Sequence, residues 1–518
     1  MFRVVITCSL FVFLSALTPT LAGQSDASSL FQQHCAACHG SHRLGGMGPA
    51  LLPENLKRLR KPKAIKVIEQ GRSATQMPAF AGKLTTAQMQ SLVDYIYTPL
   101  AVVPSWGLAE MNKSHIIHYP QHRLGNKPIY QADPLNLFIV VELGDHHATI
   151  LDGDKLEPIH RFKTRFALHG GPKYSPDGRF VYFGSRDGWV SKFDMYNLKT
   201  VVEIRAGINT RNLAVSGDGK YVMVGNYLPH TLVVLDSKDL RPLKLIPTKG
   251  ADSKTSRVSA VYTAAPRETF VAALKDIPEV WEISYADNPP PGFSGWEHNY
   301  REGSGDVLKP DPFPVRRIMV DDYLDDFFFN QEYNLLMGAS REGQGQVVDL
   351  DLKRVVNKLD ISGMPHLGSG ITWQYKGRTV MATPNLKKSE VSIIDMQSWK
   401  TIKTIKTLGP GFFMRSHENS PYAWVDVFFG PNKEAVHVID KGKLEIIKTL
   451  KPAKGKNAAH VEFDRYGRYA LLSIWDEAGA VIVYDAKTLK EVKRLPMNKP
   501  SGKYNVYNKI NRSAGTSH

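Results

Sequence analysis

The sequence predicts a small all-α domain followed by an all-β, eight-bladed propeller, and two observations lead to that prediction. Two cysteines lie three residues apart in a helical N-terminal segment, and the rest of the chain repeats a β-rich unit about every 45 residues. The 518 residues are 42% hydrophobic and 22% charged, which excludes a disordered chain and a polytopic membrane protein. Three cysteines are too few for a disulfide framework. The formal charge of +16 favours an acidic ligand or partner, and no nucleic-acid-binding signature accompanies it.

The first 22 residues have the pattern of a secretory signal peptide. A single charge, Arg3, is followed by an apolar run over residues 4–17 and a small-residue ending at Ala22. The apolar run is shorter than the roughly 20 residues that span a bilayer, which favours cleavage over the alternative of an uncleaved anchor. We therefore expect a periplasmic protein without a membrane span, which keeps only Cys35 and Cys38 of the three cysteines.

The remaining two cysteines belong to a haem-attachment pattern. Cys35 and Cys38 are followed directly by His39, which completes the C-x-x-C-H pattern of covalent c-type haem. Two thiols on one helical turn reach both vinyl groups, while the adjacent imidazole binds the iron. A redox or zinc dithiol is the alternative, although a zinc site needs further ligands. The pattern predicts a cytochrome c domain carrying haem c over residues 23–104.

The second axial ligand of this iron is expected downstream of the attachment site. Met77 is the first candidate, because Pro78 holds the loop extended and a thioether raises the iron potential. Met47 and His42 are the alternative ligands. Apolar residues then recur at helical spacing over residues 84–96, which predicts the closing helix of the domain.

After a linker over residues 105–129, residues 130–518 consist of repeated units that predict propeller blades. Each unit contains a turn, an apolar strand and a second β-rich run that ends in aspartate before a polar turn. These aspartates are Asp152, Asp194, Asp236, Asp349, Asp395, Asp440 and Asp485. They are 42, 42, 113, 46, 45 and 45 residues apart. The long interval fits a degenerate unit ending near Ser284 and a surface loop over about 286–314, which brings the total to eight blades.

Four histidines lie in loops beside glycine, proline or other turn residues, where a propeller presents side chains to its channel. We expect them at one end of the channel, since they lie at comparable phases of the repeat: His169, His366, His417 and His460. Each alone is typical of an exposed loop, but together they indicate a metal or cofactor face. Arg186, Arg211 and Tyr227 would bind the carboxylates of such a cofactor, with solvated blade turns as the alternative for the arginines.

A C-x-x-C-H domain followed by a propeller with these loops resembles the cytochrome cd1 family, whose propeller is of the cytochrome d1 type. The resemblance covers nearly the whole chain after residue 22. Its most specific marks are Leu168-His169, Gly184-Ser185-Arg186-Asp187, Pro365-His366, Ser416-His417, Ser473-Ile474-Trp475 and the segment from Gly502 to Asn508. It implies covalent haem c on the small domain and non-covalent haem d1 in the propeller. It also implies His169 as the proximal ligand of the haem d1 iron, with Arg186, Arg211 and Tyr227 at the carboxylates.

The chain departs from the nitrite reductase pattern of that family at several places. Leu367 stands where the reductase has proline, His460 where it has glutamine, and Tyr504 where it has phenylalanine. Only residues 23–30 precede the haem c helix, where the reductase has a longer segment. These departures resemble the dehydrogenase branch of the family, which oxidises one propionate of dihydro-haem d1 to an acrylate and so completes haem d1.

The dehydrogenase resemblance implies a role for each candidate in the propeller. His460 and Tyr504 would handle protons, with His417 as a third catalytic candidate. His169 and His366 would occupy both axial positions of the tetrapyrrole iron, which leaves no vacancy for nitrite. His417 is the alternative to His366 as the distal ligand.

The same resemblance implies partners and leaves two other functions open. Haem c, held by Cys35, Cys38, His39 and Met77, would take the electrons one at a time and pass them to a periplasmic redox partner. The finished haem d1 would go to the nitrite reductase. The alternatives are that the chain is itself a reductase converting nitrite to nitric oxide, or a non-enzymatic haem d1 carrier.

Overall fold

The structure is a computed structural model that describes most of the chain after residue 21. The described residues are 22–46, 48–56, 59–71, 77–102, 104–168, 170–290, 292–293, 312–340, 345–361 and 363–511. Met47, His169 and residues 1–21 of the predicted signal peptide therefore lie outside the described residues. Within these ranges, no helix is both long enough and apolar enough to cross a membrane.

The N-terminal part of the chain is all-α, as predicted. Its helices are α1 (Ala22–His34), α2 (Ala36–His39), α3 (Pro53–Leu56), α4 (Lys61–Gln70) and α5 (Thr86–Ile96). Helix α5 is the predicted closing helix, and it begins with a capping box between Thr85 and Gln88. Leu92 and Val93 of this helix join Phe31 of α1 in one buried apolar cluster. This cluster forms the core of the domain and surrounds the C-x-x-C-H segment.

The C-terminal part is an eight-bladed propeller of four-stranded antiparallel sheets. In sheet order, blade 1 contains Pro500–Asn505, Leu137–Glu142, His147–Asp152 and Glu157–Lys163; blade 2 Lys173–Tyr174, Phe180–Gly184, Trp189–Asp194 and Lys199–Arg205, with Ile116–Ile117 as a fifth strand; blade 3 Asn209–Val215, Tyr221–Leu228, Thr231–Asp236 and Pro242–Pro247; and blade 4 Val258–Ala264, Thr269–Leu274, Glu279–Ser284 and Val315–Met319. Blade 5 contains Asp326–Phe329, Leu335–Ala339, Gly345–Asp349 and Arg354–Leu359; blade 6 Ile371–Tyr375, Arg378–Pro384, Glu390–Asp395 and Thr401–Lys406; blade 7 Met414–Ser416, Tyr422–Asp426, Val436–Asp440 and Glu445–Leu450; and blade 8 Ala458–Phe463, Tyr469–Ile474, Gly479–Asp485 and Glu491–Met497. Short 3-10 helices span Gln121–Arg123, Pro134–Asn136, Ala265–Arg267 and Leu367–Ser369, and the remaining α-helices are α6 (Leu108–Ser114) and α7 (Val506–Ile510).

The predicted aspartates end the third strand of seven blades, and the count of eight blades is confirmed. Their carboxylates accept hydrogen bonds from the turn that follows. Asp485, for example, accepts from the backbone N–H of Lys487 at 3.1 Å and of Thr488 at 2.7 Å. In blade 4 the third strand ends at Ser284, which explains the break in the aspartate pattern.

The two ends of the propeller sequence close the ring. The inner strand of blade 1, Pro500–Asn505, comes from the C-terminus and pairs antiparallel with Leu137–Glu142. Because inner strands face the central channel, this closure places Tyr504 on the channel wall. The ring therefore brings residues more than 300 positions apart into one site: Tyr174 Oη donates to the Tyr504 carbonyl at 3.1 Å.

Arg205 joins the α-helical domain to blade 2. Its guanidinium donates to the carbonyl of Leu44, which lies five residues after His39. Its Nε donates to the Asp187 carbonyl at 2.8 Å, in the hairpin turn that also carries Arg186. The same guanidinium stacks 4.6 Å from the ring centre of Trp106. The loop after the C-x-x-C-H segment is thus held against the propeller.

Candidate functional site

A cavity of about 330 Å³ lies where the inner strands meet. Its walls include four of the residues that the sequence singled out, namely Arg211, His366, His460 and Tyr504. They come from blade 3, the loop before blade 6, blade 8 and blade 1. The closed ring, rather than any local motif, brings them together.

His460 is aimed at the cavity by an irregularity in its strand. The register of blade 8 shifts between Ala459 and Val461, and His460 has a φ of 56°, which is the geometry of a β-bulge that re-aims a side chain. Burial and the nearby cation of Lys503 hold the pKa of the imidazole well below its usual range, so the ring is neutral. The Lys503 backbone N–H donates to Nδ1 at 3.4 Å, a long and weak bond that leaves both tautomers accessible.

Tyr504 lies beside His460 on the same wall. Their ring centres are 5.1 Å apart and the rings are nearly perpendicular. Gly171, with a φ of 70°, passes so close that a Cβ there would lie 2.9 Å from the tyrosine ring. Burial raises the pKa of the phenol well above its usual value, so Tyr504 keeps its proton at any ordinary pH. The pair combines a neutral imidazole with a protonated hydroxyl.

His366 is oriented as a metal-ligating histidine. Its Nδ1 lies 2.6 Å from the carbonyl of Phe412, so Nδ1 carries the proton and Nε2 keeps its lone pair. Burial lowers its pKa, which favours the neutral ring that binds iron. Nε2 lies 3.9 Å from the carboxylate of Asp326, which accepts a hydrogen bond from Tyr262 at 2.8 Å. His366 and Asp326 both line the cavity.

Basic side chains outnumber carboxylates on the cavity wall. Among the described lining residues, the basic ones are Lys173, Arg211, Arg415 and Lys509, and the carboxylates are Asp326 and Glu462. Burial holds the pKa of Lys509 well below its usual value. Glu462 is paired with Arg415 at 2.7 Å, and both side chains are almost fully buried. The excess positive charge fits a ligand with several carboxylates, which buried cations bind strongly.

Aromatic side chains form another part of the cavity wall. Phe412 and Phe413 have ring centres 4.5 Å apart, and Phe413 lies 4.8 Å from the ring of His460. Phe428 and Trp475 add to the same aromatic wall, with ring centres 5.0 Å apart. A flat macrocycle with carboxylates at its edge could pack against these aromatic rings and bind the basic side chains of the wall.

Most of these cavity residues are not predicted from the sequence. Lys173, Tyr262, Asp326 and Arg415 all lie on inner strands of different blades, so polar residues at the first strand of each repeat were the available signal. The paired phenylalanines Phe412-Phe413 and Phe428-Phe429 were a second signal. Neither was used, because each residue is ordinary in its own local sequence.

His417 is set apart from His366 and His460. It does not line the cavity formed by the described residues, and it directly follows the short inner strand Met414–Ser416. Its side chain is fully buried, with Nδ1 accepting from Asn419 N–H at 3.1 Å and the ring 6.0 Å from that of Phe463. Of the two histidines predicted as the distal ligand, His366 is the one that lines the cavity.

The other predicted ligand-binding residues are not among the described residues that line the cavity. His169 is outside the described residues, but its neighbours Leu168 and Gly170 line the cavity. Arg186 and Tyr227 do not form part of the wall that the described residues make. Arg186 is in the turn directly after Gly184 and Ser185. Tyr227 lies near the end of a blade 3 strand, and the guanidinium carbon of Arg257 is 5.5 Å from the centre of the Tyr227 ring.

The C-x-x-C-H segment has the geometry of a haem c site. His39 is buried, and its Nδ1 lies 2.7 Å from the carbonyl of Pro49, which leaves Nε2 available to iron. Cys35 and Cys38 are free thiols one helical turn apart, and burial raises the pKa of Cys35 to about 11. Met77 packs in the same apolar cluster as Cys35. The donor set therefore fits covalent haem with histidine ligation.

His42 and Met47 are the alternatives to Met77 as the second ligand of the haem c iron. His42 is exposed at the surface of the domain, whereas Met77 is partly buried in its core. Met47 lies outside the described residues.

Comparison with known proteins gives consistent matches over both domains. The family model described as "Cytochrome D1 heme domain" matches residues 132–301 and 304–509, and that described as "Cytochrome C oxidase, cbb3-type, subunit III" matches residues 22–96. The chain is 54% identical over 498 residues to the dihydro-heme d1 dehydrogenase of Pseudomonas aeruginosa, covering 96% of this chain and 97% of the relative. It is 24% identical over 558 residues to the nitrite reductase of Stutzerimonas stutzeri, covering 96% and 95%. A solved structure of dihydro-heme d1 dehydrogenase NirN in complex with DHE matches with a TM-score of 0.87 and 55% identity, covering 94% of this chain and all of that one.

Proposed function

Because the chain belongs to the cytochrome d1 haem domain family, we propose that it is a dihydro-haem d1 dehydrogenase. Its substrate is dihydro-haem d1, bound in the propeller cavity. One propionate chain, –CH2–CH2–COO⁻, loses two protons and two electrons and becomes an acrylate, –CH=CH–COO⁻, which yields haem d1. The observation that carries this proposal is the His460–Tyr504 pair on the wall of a cavity rich in cations.

His460 and Tyr504 handle the protons of this step. The ring nitrogen of His460 that lacks a proton accepts one from the propionate chain, and the neighbouring hydroxyl of Tyr504 relays protons onward. Both groups are in the required state, since burial keeps the imidazole neutral and the phenol protonated. The neutral imidazole is thus the base and needs no prior deprotonation at neutral pH.

The iron and the carboxylates of the substrate are held by separate residues. His366 supplies one axial ligand through Nε2, since Nδ1 is occupied by the Phe412 carbonyl. His169 supplies the other axial ligand. Arg211 in the cavity wall binds carboxylates, together with Arg186, Tyr227 and the newly identified basic residues. With His169 and His366 on the iron, no site would be left for nitrite.

Lys173 makes substrate binding dependent on pH. Burial lowers its pKa to about 8, with Asp326 acting in the opposite direction, so the ammonium is charged below that pH and neutral above it. We expect the Kd for ferric dihydro-haem d1 to rise above pH 8 by roughly tenfold to a hundredfold, since a hydrogen bond to a charged group contributes about 1.5–3 kcal/mol. A fluorescence-quenching titration from pH 6 to 10 measures this. Lys173→Arg stays charged and should remove the weakening, and a wild-type Kd that is flat over this range would contradict the assignment.

Cys35 and Cys38 would hold haem c covalently, with His39 and Met77 as ligands of its iron, and this group would supply a one-electron acceptor. Each turnover releases two electrons, so an external acceptor has to remove the first before the second is delivered. We assign that role to a periplasmic redox protein, and the haem d1 product passes to the nitrite reductase. Residues 1–22 direct export, and the mature chain consists of a cytochrome c domain over residues 23–104, a linker over 105–129 and the propeller over 130–518.

Met77→Leu tests the assignment of the second haem c ligand. Loss of the thioether should lower the reduction potential of haem c and change its ferric absorption spectrum. Met89→Leu is the matched control, because Met89 packs in the same core without a proposed contact to iron. If Met77→Leu and Met89→Leu both keep the wild-type spectrum, the ligand is Met47 or His42 instead.

Anaerobic mixing of the oxidised protein with dihydro-haem d1 tests the proposed function. We expect reduction of haem c to accompany oxidation of the substrate, visible as the reduced cytochrome band. A nitrite reductase would instead release nitric oxide from nitrite once loaded with haem d1 and supplied with an electron donor. A carrier would bind the tetrapyrrole and leave haem c oxidised.

A further inference from the structure

A single buried carboxylate, Asp426, contacts the segment that carries His460 and the segment whose Phe412 carbonyl binds His366. It ends the second strand of blade 7 and is 1% exposed. Its Oδ1 accepts hydrogen bonds from the backbone N–H groups of Phe412 at 2.8 Å and Phe413 at 3.0 Å. Its Oδ2 accepts from the backbone N–H of His460 at 3.2 Å. One side chain therefore accepts three backbone donors from two different blades.

These contacts continue directly to His366. The carbonyl of Phe412 holds Nδ1 of His366 at 2.6 Å, and the two rings lie 4.3 Å apart. Phe412 therefore donates its N–H to Asp426 and orients the His366 imidazole through its carbonyl. On the other side, the N–H of His460 is held at the bulge that turns its ring toward the cavity. One hydrogen bond links Asp426 to His460, and two hydrogen bonds in series, through Phe412, link it to His366.

The surroundings of Asp426 favour a charged carboxylate at neutral pH. Burial raises its pKa to about 6, while the three N–H donors and the ammonium of Lys503 act in the opposite direction. The Lys503 side chain, whose pKa burial lowers to about 7, also donates to the carbonyl of His460 and to Ser473 Oγ at 2.7 Å. Charge-assisted hydrogen bonds of this kind are stronger than neutral ones, so the bulge is held on both of its backbone polar groups.

We propose that Asp426 is a positioning residue that fixes His366 and His460 in the cavity together. The inference rests on the proposed function, since it assigns iron ligation to one histidine and proton transfer to the other. The Asp426 carboxylate sets the orientation of both the His366 and the His460 side chains. Loss of the carboxylate should therefore disturb iron ligation and the oxidation step in the same variant.

Asp426→Asn tests the proposal in the full-length haem c protein. The amide keeps the size of the carboxylate but places an NH2 group against an N–H donor. We expect the absorption spectrum of bound ferric dihydro-haem d1 to lose the signature of His366 ligation. Conversion should slow by about tenfold to a hundredfold, which is typical when a group that orients a metal ligand is removed. The haem c spectrum should not change.

Asp440→Asn is the matched control in the same blade. Asp440 Oδ1 also accepts two backbone N–H groups, from Gly442 and Lys443, both at 2.9 Å, but at the turn after the third strand. It should keep the wild-type spectrum of the bound tetrapyrrole and the wild-type rate. If Asp426→Asn matches it in both measurements, Asp426 is not a positioning residue. Failure of the wild-type protein to convert the substrate, with ligation still altered in Asp426→Asn, would reject the proposed function and leave the positioning role standing.

Hydrogen exchange of the wild-type protein provides a test that does not depend on folding of a variant. The amides of Phe412, Phe413 and His460 donate to Asp426, so we expect slow exchange in the peptides that contain them. Rapid exchange of these amides in the ligand-free protein would overturn the proposal.

Discussion

His460→Ala is expected to slow the oxidation of dihydro-haem d1 by about 10²-fold to 10⁴-fold, the usual contribution of a positioned general base. The neutral imidazole is the group that accepts the substrate proton, and the cations that bind the carboxylates are unchanged by the substitution. Substrate affinity should therefore stay near that of the wild type. Single-turnover conversion at saturating substrate, together with a binding titration, separates the two effects.

Tyr504→Phe tests the second member of the pair and keeps the ring that packs against Gly171. We expect a smaller loss of rate than with His460→Ala, since only the relay hydroxyl is removed. His437→Gln is the control, because His437 is a buried histidine whose Nε2 accepts from Leu408 N–H at 3.1 Å, outside the cavity lining. Wild-type rates in both His460→Ala and Tyr504→Phe would remove this pair from the chemistry.

Replacing Cys35 and Cys38 together with alanine is expected to abolish covalent haem and, with it, oxidation of the substrate by the isolated protein. The two thiols are the available attachment points in the described domain, and His39 alone holds a haem weakly. The cavity is built from other residues, so dihydro-haem d1 should still bind. Haem staining of a denatured gel and a binding titration measure the two properties.

The third cysteine provides the control for that experiment. Cys8 lies in the proposed signal peptide, so Cys8→Ala should yield a mature protein with wild-type haem content and rate. Oxidation of the substrate by the double variant, without added cytochrome, would show that haem c is not the first electron acceptor.

The blade count could be predicted because the same turn chemistry recurs in each unit. An aspartate at the end of the third strand accepts the next turn's N–H groups, as Asp485 does, and that requirement leaves a mark in the sequence. The haem c site was predictable for a similar reason, since Cys35, Cys38 and His39 act within one helical turn. Interactions between residues close in the sequence produce motifs that can be recognised in the sequence.

The phase of a residue within its blade was harder to predict. His417 and His460 are in similar sequence surroundings, yet the inner strand of blade 7 ends at Ser416 whereas that of blade 8 contains His460 at a bulge. His460 therefore lines the cavity, whereas His417 lies beyond the end of its inner strand. The exact bounds of the inner strands are needed to distinguish the two histidines, because the first strand of a blade varies in length.

The cation-rich wall and the Asp426 contacts were not predictable from local sequence at all. Lys173, Arg415 and Lys509 meet only because the ring closes with the C-terminal strand in blade 1. Asp426 resembles an ordinary strand end, and its three donors come from the loop before blade 7 and from blade 8. Their roles depend on contacts between blades.

The most direct test of the account is mass spectrometry of the tetrapyrrole recovered after anaerobic incubation of oxidised wild-type protein with dihydro-haem d1. We expect a product that has lost two hydrogen atoms, formed together with reduced haem c, and little product from His460→Ala. Recovery of unchanged dihydro-haem d1 from the wild-type protein, with haem c still oxidised, would contradict it.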